Sequence, residues 1–170
     1  MGDGRCRQAL TRRDLQRLAA IAKRSRTELL RLNAGLGLLY GRRFLCSVLA
    51  GDAGDHFING LTGFEGFEIW CFFARHPEAP FPTHRHSRED FGESRFGPDP
   101  ALPETFVGRA VDVQGRSIDG APGEDPLRLL TEYLRSKATP TARELAAQTL
   151  VVIEPEPLLG FHAWPALALR

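Results

Sequence analysis

Cysteine is scarce in this chain and long apolar runs are missing. Cys6, Cys46 and Cys71 are the 3 cysteines among 170 residues. The number is odd, no CxxC occurs, and two of the three lie in apolar, strand-like runs. That pattern excludes a disulfide framework and a CxxC zinc site, and predicts buried free thiols in a reducing compartment. No apolar run approaches the roughly 18 residues of a membrane helix, so no membrane partner is expected. The opening residues MGDGRCRQ lack the apolar stretch of a signal peptide. Together these absences predict a cytoplasmic protein. There is no internal repeat, and neither Ser47 nor Ser117 sits in the GxSxG context of a serine hydrolase.

An excess of one charge is also missing from the whole, with a formal net charge of +1. The balance hides an asymmetry. Residues 1–43 carry eleven Arg and Lys against three acids, Asp3, Asp14 and Glu28, whereas the remainder carries eleven against eighteen. A basic amino-terminal segment beside an acidic body points to nucleic acid, nucleotide or an acidic partner. The plainer alternative is a solvated helix face docked on the acidic body.

The length suits one domain with a real core. From Thr11 onward, Leu15, Leu18, Ala19, Ala22, Leu29, Leu30 and Leu32 recur with helical period. Thr11 with Asp14 forms a capping box. This is either one long helix or two broken near Ser25, the latter resembling a helix-turn-helix. Phe44–Ala50 reads as a buried strand. Asp52 is expected to cap a short helix through Asn59, with Asp55 completing a box and Gly60 and Gly63 closing it. Phe67–Ala74, FEIWCFFA, is the strongest strand signal, and its alternation predicts core on both faces. Residues 75–105 read as a long connection of functional type. Val107–Ile118 reads as a further strand, with Val111 and Val113 on one face and Asp112 on the other. A helix Pro126–Ser136 turns Leu127, Leu130 and Leu134 inward. Another follows Thr139, with Pro140 in its first turn and a Thr141–Glu144 box. Leu150–Glu154 is a last short strand. The expected fold is α/β: a basic helical segment over 1–43, then a small mixed sheet with flanking helices over 44–170.

The chemistry concentrates between Val48 and Ala74. Gly51 ends a strand and begins a helix, which aims backbone N–H groups and a positive helix end at an anion. Glu68 and Asp112 are carboxylates on separate strands, and Glu65 precedes the first. Carboxylates facing one way on neighbouring strands suit Mg²⁺. Arg88, Arg95, Arg109 and Arg116 could clamp phosphate. The plainer alternatives stand beside these. Glu68 could be an ordinary strand residue, Asp112 could pair with Arg109 or Arg116, and the arginines could tie down the loop through Glu89, Asp90 or Glu93. His84 and His86 read as loop histidines rather than metal ligands, and His56 as a speculative base one helical turn from Asp52. DFGESRFG at 90–97 shares only letters with the kinase DFG motif, since the glycine-rich and catalytic loops are missing.

A glycine turn, a spaced acidic strand and a third carboxylate in VDV form a pattern that resembles the nucleotidyltransferase superfamily. More closely, FEGFEIWCFFA, DFGESRFGPDP and GRAVDVQGRSI look like a group of small bacterial proteins with D-F-D-V-W-x-F-F, D-F-G-x-S-R-F-G and V-D-V-x-x-R-S-I motifs. The resemblance covers about residues 44–165. It implies a mixed α/β fold binding a nucleoside triphosphate with divalent metal and moving a nucleoside monophosphate to an acceptor. Gly51, with Asp52 after it, would sit at the phosphate turn. Glu68 and Asp112 would hold Mg²⁺, and Glu65 would substitute for a missing ligand. Arg95, Arg109 and Arg116 would contact the substrate. Three departures matter. Gly66 stands where the first carboxylate of the pair is expected, Asp52 stands where Ser or Gly would receive phosphate, and Glu68 is longer than Asp.

Overall fold

The computed structural model describes residues 4–83, 86–102 and 104–165. Helix α1 (Arg12–Leu32) begins at the predicted cap: the Thr11 hydroxyl accepts from Asp14 N, and Asp14 accepts from Thr11 N. It runs unbroken past Ser25, so no helix-turn-helix forms there. A second helix, α2 (Ala34–Tyr40), follows at Asn33 and was not legible in the sequence. Strand β1 (Phe44–Ala50) leads directly into α3 (Gly51–Asn59), and β2 is Phe67–Ala74. The expected 75–105 connection contains a strand, β3 (His86–Asp90). Its residues HSRED carry no apolar alternation, as befits an edge strand whose charges discourage further pairing. Next come β4 (Ala110–Ile118), starting three residues later than predicted, α4 (Pro126–Ser136), α5 (Pro140–Ala146) and β5 (Leu150–Glu154). A short β6 (His162–Trp164) closes the order.

Two capping expectations fail. Helix α3 has Ala50 at its N-cap with no side-chain cap, so Asp52 and Asp55 do not form the box. The α5 cap is Thr139, whose hydroxyl accepts from Ala142 N, rather than Thr141. On α4, the fully buried positions are Leu129, Leu130 and Leu134, while Leu127 packs at the margin.

The sheet is mixed and open, in the order β3-β4-β2-β1-β5-β6, with β2 and β4 parallel and the other neighbours antiparallel. Leu49, Ile69, Cys71, Phe73, Val111 and Val113 pack on one face with Leu15, Leu18 and Ala22 of α1 and Leu36 and Tyr40 of α2. Val48, Trp70, Phe72, Ile118 and Val152 pack on the other with Leu129, Leu130, Leu134 and Leu145 of α4 and α5. The basic amino-terminal helix thus shares the core of the sheet. A bidentate Arg26–Glu154 pair at 2.9 and 3.1 Å pins it, with Ser47 donating to the same carboxylate at 2.8 Å. Among the described residues no helix is long and apolar enough to cross a membrane. All three cysteines are buried and free.

Candidate functional site

The sheet register assembles the site. Ala50 on β1 pairs with Glu68 on β2, Glu68 with Asp112 on β4, and Asp112 with Arg88 on β3. Directly opposed residues point to one face, and neighbouring strands lie about 4.8 Å apart. A single row across four strands therefore carries two adjacent carboxylates and a guanidinium. This face is the one covered elsewhere by α4 and α5. Glu68 and Asp112 lie near the start of their strands and line an open cleft of about 430 Å³ rather than core.

The turn after β1 completes the cleft. Gly51 has φ +64°, and a Cβ there would come within 3.1 Å of Glu68 Oε2. A side chain at 51 would adopt a left-handed backbone and crowd the carboxylate. The Gly51 N–H donates to Gln148 Oε1 at 3.0 Å. Asp52 is exposed and pairs with Arg5 at 3.3 Å, which offsets the repulsion its carboxylate would offer a phosphate. Arg5 is held beside the cleft by backbone pairing of Cys6 with Phe64.

Each carboxylate already has a partner. Glu68 accepts from Trp70 Nε1 at 2.8 Å, and Asp112 accepts from Arg88 Nε at 2.8 Å and Nη2 at 3.3 Å. The Asp112 partner is therefore Arg88, neither Arg109 nor Arg116. Burial pushes the Glu68 carboxyl above its ordinary range; the Trp70 bond opposes this, and the charges of Glu144 and Asp112 add to it. Glu65 is exposed and lines the cleft, because the chain bends before β2 instead of continuing as strand, so alternation does not govern it. With Asp52, Glu65, Glu68, Asp99 and Asp112 facing Arg5 and Arg88, five carboxylates against two guanidiniums leave a formal charge of −3. Such a cleft attracts cations and repels a bare polyphosphate.

Three expected substrate contacts lie elsewhere. Arg95 pairs with Asp14 at the start of α1. Arg109 is buried and donates to the carbonyls of Phe96, Gly4 and Glu65, satisfying loop backbone that would otherwise be orphaned. Arg116 shares the face of Asp112 but sits four residues along β4. It stacks 4.9 Å from the Trp70 ring and donates to the Thr83 and Gly115 carbonyls. Burial leaves its guanidinium below the ordinary range. The DFGESRFG motif is likewise a loop fastener. Asp90 accepts from the backbone N–H of Gly92, Val107 and Gly108 at 2.7–2.8 Å, while Phe91 and Phe96 are buried. His56 is buried against Phe64 with Nδ1 2.7 Å from the Thr62 carbonyl, away from the cleft. His86 is exposed on β3, and His84 lies outside the described residues. Sequence reasoning missed Arg5, Asp99, Glu144 and Gln148, which no local pattern marks; register and loop packing bring them in.

The residues present fit one hard cation better than two. Mg²⁺ is commonly held by one or two carboxylates with water and substrate phosphates, which Glu68 and Asp112 can provide. A pair of ions needs further ligands. Among the described residues no group of three His, Cys, Asp or Glu forms a metal cage. Gly66, where a further carboxylate is expected, has its Cβ direction closed by the Ala110 carbonyl at 2.9 Å. Set against known proteins, the chain matches no family model, no curated protein and no solved structure.

Proposed function

We propose that the cleft binds a nucleoside triphosphate through one Mg²⁺ held by Glu68 and Asp112, in the manner of a nucleotidyltransferase-like protein of the cytoplasm. The observation that carries this reading is the row Ala50–Glu68–Asp112–Arg88 beside the Gly51 turn. The ion would neutralise phosphate charge. Glu68 and Asp112 would hold it, the amino end of α3 would face the phosphates, and Arg88 and Arg5 would supply N–H donors. The negative cleft makes nucleotide binding dependent on the cation. With the first carboxylate position of the pair closed at Gly66, we rank binding ahead of nucleotidyl transfer. A nucleic acid is the acceptor class favoured by the charge of residues 1–43.

Calorimetric titration with ATP, GTP, CTP and UTP tests this. Binding is expected with Mg²⁺ or Mn²⁺, none in EDTA, and Asp112→Asn should abolish it. Equal binding in EDTA, or no binding of any nucleotide, overturns the reading. Pyrophosphate release in the same mixtures separates transfer from binding. A second reading has one observation behind it: both carboxylates are already partnered, Asp112 by Arg88 and Glu68 by Trp70. On that reading the cleft is a structural ion-paired surface, and it predicts no metal uptake at all.

A further inference from the structure

The outward face of α1 carries a line of cations outside the cleft; Arg17 and Arg31 have partners in the fold, and Arg13 and Arg24 have none among the described residues. Arg13, Arg17, Arg24 and Arg31 are all exposed and follow the steps of four and seven that keep one helix face. Ala20 and Thr27 fill the gaps between them. The stripe spans 18 residue steps, about 27 Å at 1.5 Å per residue. The buried residues Leu15, Leu18, Ile21 and Ala22 occupy the opposite side. An apolar stripe and Arg26 dock the helix on the body, Arg12 and Arg17 reach loop carbonyls, and Arg13, Lys23 and Arg24 turn to solvent.

Three features separate this stripe from an ordinary solvated face. It is nearly all of one sign: Glu28 is its one carboxylate, and Glu28 is consumed by Arg31 at 2.7 Å. Arg13, Lys23 and Arg24 make no ion pair among the described residues. Its charges also oppose the helix. Arg12 and Arg13 occupy the first turn, where the macrodipole is positive and cations are unfavourable. The single first-turn acid, Asp14, is taken up by Thr11 and Arg95. Arg17 is held in place by the Glu93 carbonyl at 3.2 Å and the Phe91 ring at 4.4 Å, so it is already ordered. A row of guanidiniums on one helix face, chemically matched to phosphate, is complementary to a regular polyanion.

We propose that the outer face of α1 binds the sugar–phosphate backbone of a nucleic acid, without base readout. The acceptor role for that nucleic acid rests on the proposed cleft function; the binding itself does not. Anisotropy of a labelled 20-base-pair DNA duplex and a labelled 20-nucleotide RNA, in EDTA and without nucleotide, tests it independently of the cleft. With about four phosphates neutralised, by Arg13, Arg17, Lys23 and Arg24, log K should fall with log salt at a slope of about −3.6 on the duplex. The triple variant Arg13→Gln, Lys23→Gln, Arg24→Gln should lower that slope by about 2.7 and weaken binding at least tenfold at about 0.1 M salt. Its helicity and melting should be no lower than the parent's, since these side chains have no partner among the described residues and Arg13 opposes the helix dipole. Three outcomes overturn the proposal: no binding to either probe at about 50 mM salt, an unchanged slope in the triple variant, or capture by anionic phospholipid vesicles with none by nucleic acid.

Discussion

An aspartate at Gly66 would fill the carboxylate position that the nucleotidyltransferase pattern, which the sequence resembles, has there. The structure predicts a clash instead. A Cβ at this position lies 2.9 Å from the Ala110 carbonyl and 3.8 Å from its Cβ. Ala110 cannot give way freely, because it opens β4 and pairs with Asp90 on β3. The clash is with backbone, so the chain entering β2 must move away from the start of β4, two residues before the row that carries Glu68 and Asp112. Overpacking of this kind costs about 1–3 kcal/mol. For a chain of 170 residues, each kcal/mol moves Tm by about 2–4 °C, so Gly66→Asp should melt about 2–12 °C lower. Gly66→Ala isolates the cause: if the Cβ is responsible, alanine should reproduce most of the loss. Differential scanning calorimetry measures both, and Mn²⁺ titration by electron paramagnetic resonance counts bound ions. An aspartate variant as stable as the parent that takes up a second ion would refute the steric argument.

Other predictions concern charge and burial. Arg26 and Glu154 have side chains only 10% and 13% exposed. Glu154→Gln leaves the guanidinium uncompensated and should cost about 3–5 kcal/mol, read as a lower urea midpoint; an unchanged midpoint would mean the pair is not what fastens α1. Glu68 has a raised folded pKa, so its ionisation opposes folding. The penalty is absent below the unfolded value of about 4.3 and grows as pH rises through the folded value. Glu68→Gln should thus raise Tm at pH 7 but not at pH 3.5, and a gain of equal size at both would contradict that origin. Arg88 competes with a cation for Asp112. An exposed pair is worth up to about 1 kcal/mol, so Arg88→Gln should tighten Mn²⁺ binding without nucleotide up to about fivefold; weaker binding would show that Arg88 supports the site instead. Burial pushes the Cys46 thiol up to about 12 and Cys71 up to about 11, despite the nearby Arg26 in the second case. Neither should react with iodoacetamide at pH 8 until denaturant is added, as mass spectrometry would show.

Residue order alone specified β1, β2, α4, β5 and the start of α1, because each carries its own signal: continuous β-branched and aromatic runs, helical leucine spacing, a capping box, a proline in the first turn. It also marked Gly51, Glu68 and Asp112 as chemically unusual. Strand β3 was hidden because an edge strand needs no buried face and so shows no apolar alternation. Helix α2, with two glycines among its seven residues, forms through Leu36 and Tyr40 packing on the sheet rather than through propensity. The arginines were the least legible part. Arg88, Arg95, Arg109 and Arg116 share one chemistry, and sequence cannot say which anion or carbonyl each will meet. The tertiary structure decides this through register and loop packing: it sends Arg95 to Asp14, buries Arg109 among carbonyls, stacks Arg116 on Trp70, and brings Arg88 and the distant Arg5 to the cleft. Gly66 shows the same division. As a letter it is a gap in the resembled pattern, whereas in the fold it is the one residue small enough for the chain entering β2 to pass the Ala110 carbonyl.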